Sequence, residues 1–366
     1  MSCLQTMKQL FLHATGATGV SSLVLNSAWR RSRLLILCYH GVSLQDEHCW
    51  NPGMYVSPGL FRERLQRLRE RSCNVLPLGE AVERLYRGDL PPRSVVITFD
   101  DGFHDFYAVA WPILREFGYP ATLYLTTYYV SNPQPVFDLA FPYVAWRSSA
   151  EAIHWPDVLG SDPRPVRVDR GASVASDVKS HCLTRGLRAT EKLQVLEEFA
   201  ARLQVDLPEI REKRILHLMS PSEVAEIAHE GCDIELHTHR HRVSHRRERF
   251  LRKIDDNRAA IERMTCQSPR HFCYPGGCWL EDLPEWMNER GILSAVTCTA
   301  GLAQRRHERY FLPRILDTSL PAPVFDAWVA GIADMISRHA SYVAPGQVFA
   351  DEEGEGGQDL PALHGA

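Results

Sequence analysis

No apolar run in this 366-residue chain is long enough to cross a bilayer. The most hydrophobic N-terminal stretch, Leu10 to Leu25, is broken by His13, Gly16, Gly19 and several serines, and it lacks the continuous apolar centre of a signal peptide. It reads as an amphipathic surface helix, which allows a peripheral membrane contact through residues 1–30. The ten cysteines contain no C-x-x-C pair and keep no regular spacing. Cys38, Cys273 and Cys298 sit in apolar contexts and read as small buried hydrophobes, a usage that favours a reducing cytoplasm. No repeat occurs at solenoid periods. Neither sign of charge dominates, the net value being −4. The Arg-rich stretch from Arg240 to Lys253 has no aromatic residue except Phe250, which argues against a nucleic-acid surface.

Against those absences stands one dense feature, Thr98-Phe99-Asp100-Asp101-Gly102. It follows Ser94-Val95-Val96-Ile97, a β-branched apolar run that reads as a fully buried strand. Successive strand side chains point to opposite faces, so the two adjacent acids meet different surroundings. One can bind a cation while the other stays free to take a proton. An ordinary polar turn built from Asp and Gly is the competing reading.

The matching feature is His237-Thr238-His239-Arg240-His241. A helix is predicted upstream of it. Ser220 serves as N-cap, Pro221 takes the first helical position, Glu223 completes a capping box, and Gly231 ends the helix. Asp233 to Leu236 reads as a short strand, so His237 emerges at a strand end as Asp101 does. His237 and His241 are spaced to bring two imidazoles to one face of a helical turn, with His239 and His245 as competitors. One carboxylate, two histidines and an open position form the ligand set of a catalytic divalent metal.

Taken together, the motifs resemble those of the polysaccharide deacetylases, the NodB-homology or carbohydrate esterase 4 family. Thr98 to Gly102 is similar to its first motif, His237 to His241 to its second, and Phe272-Cys273-Tyr274-Pro275-Gly276-Gly277 to a reduced third. The resemblance runs from about Leu35 to Leu316. Two departures stand out. Cys273 occupies the place of an arginine that usually holds the catalytic aspartate, and no Leu-x-His follows Gly277. Leu34 to Val42, an apolar strand ending in Tyr39-His40, resembles the Tyr-His start of the biofilm-polysaccharide deacetylases, and Leu312-Pro313-Arg314-Ile315 resembles an ending of the same subgroup. His40 and Arg314 are thus the candidate substitutes.

The resemblance implies metal-dependent removal of N-acetyl groups from an amino-sugar glycan. Asp101, His237 and His241 would hold the metal. Zinc suits these ligands best, and cobalt, nickel or iron fit as well. Asp100 would act as base, His40 as acid toward the departing amine, and Arg314 as the cation that keeps Asp100 ionised. Tyr274 and Gly276 would meet the substrate or oxyanion, through the backbone N–H of Gly276. Other small N-acyl or cyclic amides, or a non-catalytic carbohydrate-binding role, are the alternative functions.

The rest of the chain fits an α/β protein. Apolar positions from Phe106 to Phe117 follow a helical period interrupted at Pro112, and Ala121 to Leu125 reads as the next parallel strand. This alternation suggests a (β/α) barrel, and the resemblance implies the irregular seven-stranded (β/α)7 type. The expected organisation is an N-terminal segment over 1–33, a catalytic domain over 34–344 with an insertion at 131–214, and a Gly-rich acidic disordered tail over 345–366.

Overall fold

Leu34 to Tyr39 is apolar at every position, and such a run persists in a strand only where both faces are covered. In the computed structural model, which describes residues 20–160, 164–168, 173–318 and 320–336, this run forms β1 (Arg33–Tyr39), buried from Leu34 onward. The other strands of the main sheet are β2 (Asn74–Val75), β3 (Ser94–Asp101), β4 (Thr122–Leu125), β5 (Asp233–Leu236), β6 (His271–Cys273), β7 (Ser294–Val296), β8 (Ala303–Gln304) and β9 (Ile315–Leu316). Their order is β7-β6-β5-β4-β3-β1-β8, with β2 paired to β3 and β9 to β1. Every pairing is parallel except that of β8 with β1.

The sheet curls back on itself. Leu312 bridges Val296 in parallel, while Ile315 and Leu316 pair with Leu37 and Cys38 of β1. Residues 312–316 therefore join the β7 edge to the β1 edge. Together with β1, β3, β4, β5, β6 and β7 they complete the irregular (β/α)7-type barrel. Alternation along the strands sends Leu34, Ile36, Val96, Tyr124, Cys273, Val296 and Leu312 into one interior cluster. Leu35, Leu37, Tyr39, Ile97 and Phe99 face the surrounding helices in a second, larger cluster.

Helices cover the outside for local reasons. α1 (Pro58–Glu70) starts at Ser57, whose hydroxyl accepts the Leu60 N–H, and it buries Phe61, Leu65 and Leu68. Before Pro112 the chain widens into a π-helical stretch, Phe106–Ala110, and only then enters α2 (Trp111–Phe117). A proline near a helix start lacks an N–H that an interior position would need, so the irregularity falls just ahead of it. α3 (Pro221–His229) carries the capping box of Ser220 and Glu223, and α4 (Arg247–Thr265) runs beneath the histidine loop.

The insertion at 131–214 is helical but does not form a separate core. Phe137, Phe141, Trp155 and Phe199 pack on one another and belong to the same continuous cluster as Phe99 and Phe106. Residues 20–32 form two short helices that pack onto the barrel. Arg30 is buried and donates to the carbonyls of Val329, Arg33 and Ser94. Trp29 lies 2.7 Å from where a Cβ on Gly331 would stand. That docking ties Trp29 and Arg30 to the protein's own base. Residues 1–19 and the acidic tail lie outside the described residues. Among those described, no helix is long and apolar enough to cross a membrane.

Candidate active site at the barrel mouth

The register of the sheet decides what meets what. Asp100 and Asp101 sit opposite Tyr124 and Leu125, and Leu125 sits opposite Leu236, so Asp101 and His237 leave neighbouring strands at one end of the barrel. Simple alternation would send Asp101 outward, away from Asp100. The backbone prevents this. Asp101 has φ +71° and Gly102 φ +94°. A left-handed residue other than glycine costs roughly 1–2 kcal/mol, a strain typical of positions held for function. At Gly102 the turn also requires the missing side chain, because a Cβ there would overlap Leu125. Both acids consequently come near one imidazole. A ring nitrogen of His237 lies within 4.8 Å of ligand atoms of Asp100 and Cys273, and again of Asp101 and His241.

His237 Nε2 is 3.3 Å and His241 Nε2 is 3.1 Å from Asp101 Oδ1. These separations would suit hydrogen bonds, yet the directions do not: both Asp101 oxygens are buried without a hydrogen-bond partner. Leaving a buried carboxylate unsatisfied costs several kcal/mol unless another positive group completes it. The donor set fits a divalent cation. His237 Nδ1 lies 2.9 Å from the Cys273 carbonyl, which can only accept, so Nδ1 carries the proton and Nε2 keeps its lone pair. Burial works to raise the Asp101 pKa, but His241 and His237 outweigh it and hold the carboxyl well below its usual range. Burial pushes the His241 imidazole down toward its neutral form, the state a ligand needs.

The two histidines do not share a helical turn. Thr238 and His241 both adopt left-handed backbone, at φ +61° and +52°, and the Thr238 hydroxyl accepts the Arg242 N–H. The i,i+4 spacing thus works through a knotted loop. His239 is turned away, with Nδ1 2.9 Å from the Thr127 hydroxyl. His245 is exposed.

Asp100 faces the barrel interior. Arg314 grips it with two parallel bonds, Nη1 to Oδ1 at 2.7 Å and Nη2 to Oδ2 at 2.8 Å. The guanidinium is itself aimed by Thr297 O and Thr98 Oγ1. The small side chain of Cys273 leaves room for this approach. Its sulfur lies 3.1 Å from Arg314 Nη2 and 3.4 Å from Asp100 Oδ2. Burial would raise the Asp100 pKa, but Arg314, with His237 and His40, overrides it and pulls the carboxyl far below the ordinary range. His40, at the end of β1, places Nε2 3.9 Å from Asp100 Oδ2, beyond direct hydrogen-bond distance.

These features coincide with a matching sequence profile, that of polysaccharide deacetylase, over residues 87–294. The chain belongs to the polysaccharide deacetylase family. The poly-beta-1,6-N-acetyl-D-glucosamine N-deacetylase of Escherichia coli (strain K12) is 32% identical over 102 residues, 27% of this chain and 15% of that protein. The protein of the same name from Staphylococcus epidermidis is 33% identical over 72 residues, 20% of this chain and 25% of that one. The matched part thus spans a quarter or less of the length of these relatives. Among solved structures, the Streptococcus pyogenes deacetylase PplD superposes with a TM-score of 0.54 at 17% identity, over 81% of this chain and 98% of that one. IcaB from Ammonifex degensii gives 0.52 at 18% identity, over 81% and 97%. At such identities the likeness is one of fold.

Within this deacetylase fold several expected partners stand elsewhere. Tyr274 alternates away from Cys273, stacks on Phe311, and donates its hydroxyl to the Tyr310 carbonyl at 3.0 Å, so its ring is a packing element. Gly276 lies exposed in the following turn at φ +60°. Cys38 and Cys273 are buried as expected, Cys273 within the interior apolar cluster, and both sulfurs also lie beside Asp100. Cys298 is an exposed residue whose sulfur faces Arg314.

Asn257 escaped sequence reasoning. From α4 its Oδ1 accepts the His237 N–H at 2.9 Å, and its Nδ2 donates to Leu125 O and Thr127 Oγ1. It clamps the ends of β4 and β5 together. The available signal was a polar residue in the buried stripe Phe250, Ile254, Asn257, Ile261.

Proposed function

We propose that this member of the polysaccharide deacetylase family hydrolyses N-acetyl groups of an amino-sugar glycan, releasing acetate and a free amine. The observation that carries the reading is the division of labour between adjacent acids. Asp101, with both oxygens unsatisfied, sets Oδ1 beside two imidazoles, while Asp100 is held ionised by a bidentate arginine. Asp101, His237 and His241 would hold a divalent cation, zinc by ligand preference. When bound, it supplies acidification of water and polarisation of the acetyl carbonyl, which a carboxylate as weakly basic as Asp100 needs.

The chain's own groups do the rest. Asp100 takes a proton from the attacking water as the new carbon–oxygen bond forms. Arg314 keeps that carboxylate ionised and fixes the direction of its lone pairs. His40, protonated, gives its proton to the amine nitrogen as the carbon–nitrogen bond breaks. The named relatives act on poly-β-1,6-N-acetyl-D-glucosamine, which makes its oligomers the first substrate to test. Acetate release should appear with zinc or cobalt and vanish after chelation. Release from a small N-acetyl amide but from no N-acetylhexosamine oligomer would overturn the glycan assignment.

A further inference from the structure

His40 has no partner of its own to aim it. Its Nδ1 is buried without a hydrogen bond, and its Nε2 faces Asp100 at 3.9 Å. An imidazole free at Nδ1 takes its orientation from its backbone, so whatever fixes residues 39–42 fixes the acid. Those residues are unusually constrained. Gly41 and Val42 pair in parallel with Tyr55 and Val56, and the Gly41 and Ser43 N–H groups donate to the Met54 and Val56 carbonyls. The remaining donor, the Val42 N–H, goes to Asp105 Oδ1 at 3.0 Å. Asp105 is buried, and it stands on the turn that leaves β3 directly after Asp100, Asp101 and Gly102.

We infer that Asp105 is a positioning residue: through the Val42 N–H it ties the strand end carrying His40 to the strand end carrying Asp100. This rests on the reading of His40 as the acid. The fit leaves no slack. A Cβ on Gly41 would overlap the Tyr55 ring and come within 3.0 Å of Asp105 Oδ2. The groups facing Asp105 are the Val42 N–H, Glu47, Tyr55 and Asp101. Burial, with Glu47 beside it, pushes the Asp105 carboxyl well above its usual range, so an uncharged amide oxygen should serve equally as acceptor.

The test uses the difference between two leaving groups. An amine needs His40 to protonate it, whereas the nitrophenolate of 4-nitrophenyl acetate departs unaided. In the metal-loaded full chain, His40→Gln should lower acetate release from N-acetylglucosamine oligomers roughly a hundredfold and leave ester hydrolysis nearly intact. If it lowers both alike, the reading of His40 fails, whatever Asp105 does. Asp105→Ala should lower amide turnover about 10- to 100-fold, the range for a misplacement near 1 Å. Ester turnover, KM and metal content should stay near normal, and Asp105→Asn should restore most of the amide rate. Added to His40→Gln, Asp105→Ala should cause little further loss, because both act on one group. Should Asp105→Ala fail to fold, Gly41→Ala displaces the same loop from the other side and should show the same selective loss. Equal loss of ester and amide turnover in whichever of these two variants folds, or full additivity with His40→Gln, would overturn the inference.

Discussion

Two buried aspartates in this barrel each face an arginine, and their acidities move in opposite directions. Asp100 receives both Nη groups of Arg314 in a parallel fork, with His237 and His40 nearby. Its carboxyl is held far below the usual range in spite of burial. Asp317, after β9, receives only the Nε of Arg64, at 3.0 and 3.3 Å, together with the Tyr39 hydroxyl at 2.8 Å. There burial wins, with Glu63 adding to it, and the carboxyl is pushed up to about 6. Burial is therefore not what prepares an ionised base. The difference lies in whether the guanidinium fork meets the carboxylate squarely and whether the other neighbours are cationic. The Asp317 pair is a structural tie that fastens β1 to α1. The Asp100 pair is equipped for chemistry.

The sharpest break of this contrast is Asp100→Asn. The amide cannot take a proton, so turnover should fall by about three to four orders of magnitude while metal content stays full. Asp317→Asn should leave turnover within about twofold, since its carboxyl touches no reacting group. Metal analysis of the purified variants alongside acetate release checks both. Loss of metal in Asp100→Asn with retention in Asp101→Asn would reverse the assignment of the two acids.

His241→Ala should lower metal content and turnover together, since each ligand contributes a direct bond and the remaining two hold a cation 10- to 100-fold or more less tightly. Full occupancy in that variant would move the role to His239 or His245.

Arg314→Lys sharpens the contrast from the cation side. A lysine cannot form the fork, so Asp100 loses its second bond and turnover should fall by about tenfold or more. Arg64→Lys removes a single-point contact and should cost on the order of 1–2 kcal/mol of stability with little change in turnover. Comparable losses of turnover in the two lysine variants would erase the distinction between the Asp100 and Asp317 pairs.

The smallest effect concerns pH. Asp317 binds its proton more tightly in the folded state than in the unfolded one, where the value is near 3.8. Between about pH 4 and 6 the native state holds more protons, so stability should decline as pH rises through that window and level off above it. Thermal unfolding of wild type against Asp317→Asn would show this as a slope present in one and flattened in the other. Asp100 has the opposite sign. Its contribution is complete above the ordinary carboxylate range and is lost only in strong acid.

What the sequence determined by itself is local. The β-branched run before Asp100, the capping box of Ser220 and Glu223, and the strand ends at Tyr39, Asp101 and Leu236 follow from patterns set by immediate neighbours. Those patterns nominated Asp100, Asp101, His237 and His241, and the family resemblance added His40 and Arg314. Tertiary structure alone decided the rest. The left-handed turns at Asp101, Thr238 and His241 have no local signal, because each conformation is unfavourable by itself and persists only through the packing around it. The fork between Asp100 and Arg314 joins residues 214 positions apart. Resemblance could suggest it, but only the closing of the barrel through residues 312–316 brings that guanidinium to that carboxylate. Asp105 was silent for the same reason, and Asn257 showed only as a polar residue in an apolar stripe, with nothing to say what it holds. A side chain that satisfies backbone groups on other elements becomes readable only once those elements are in register.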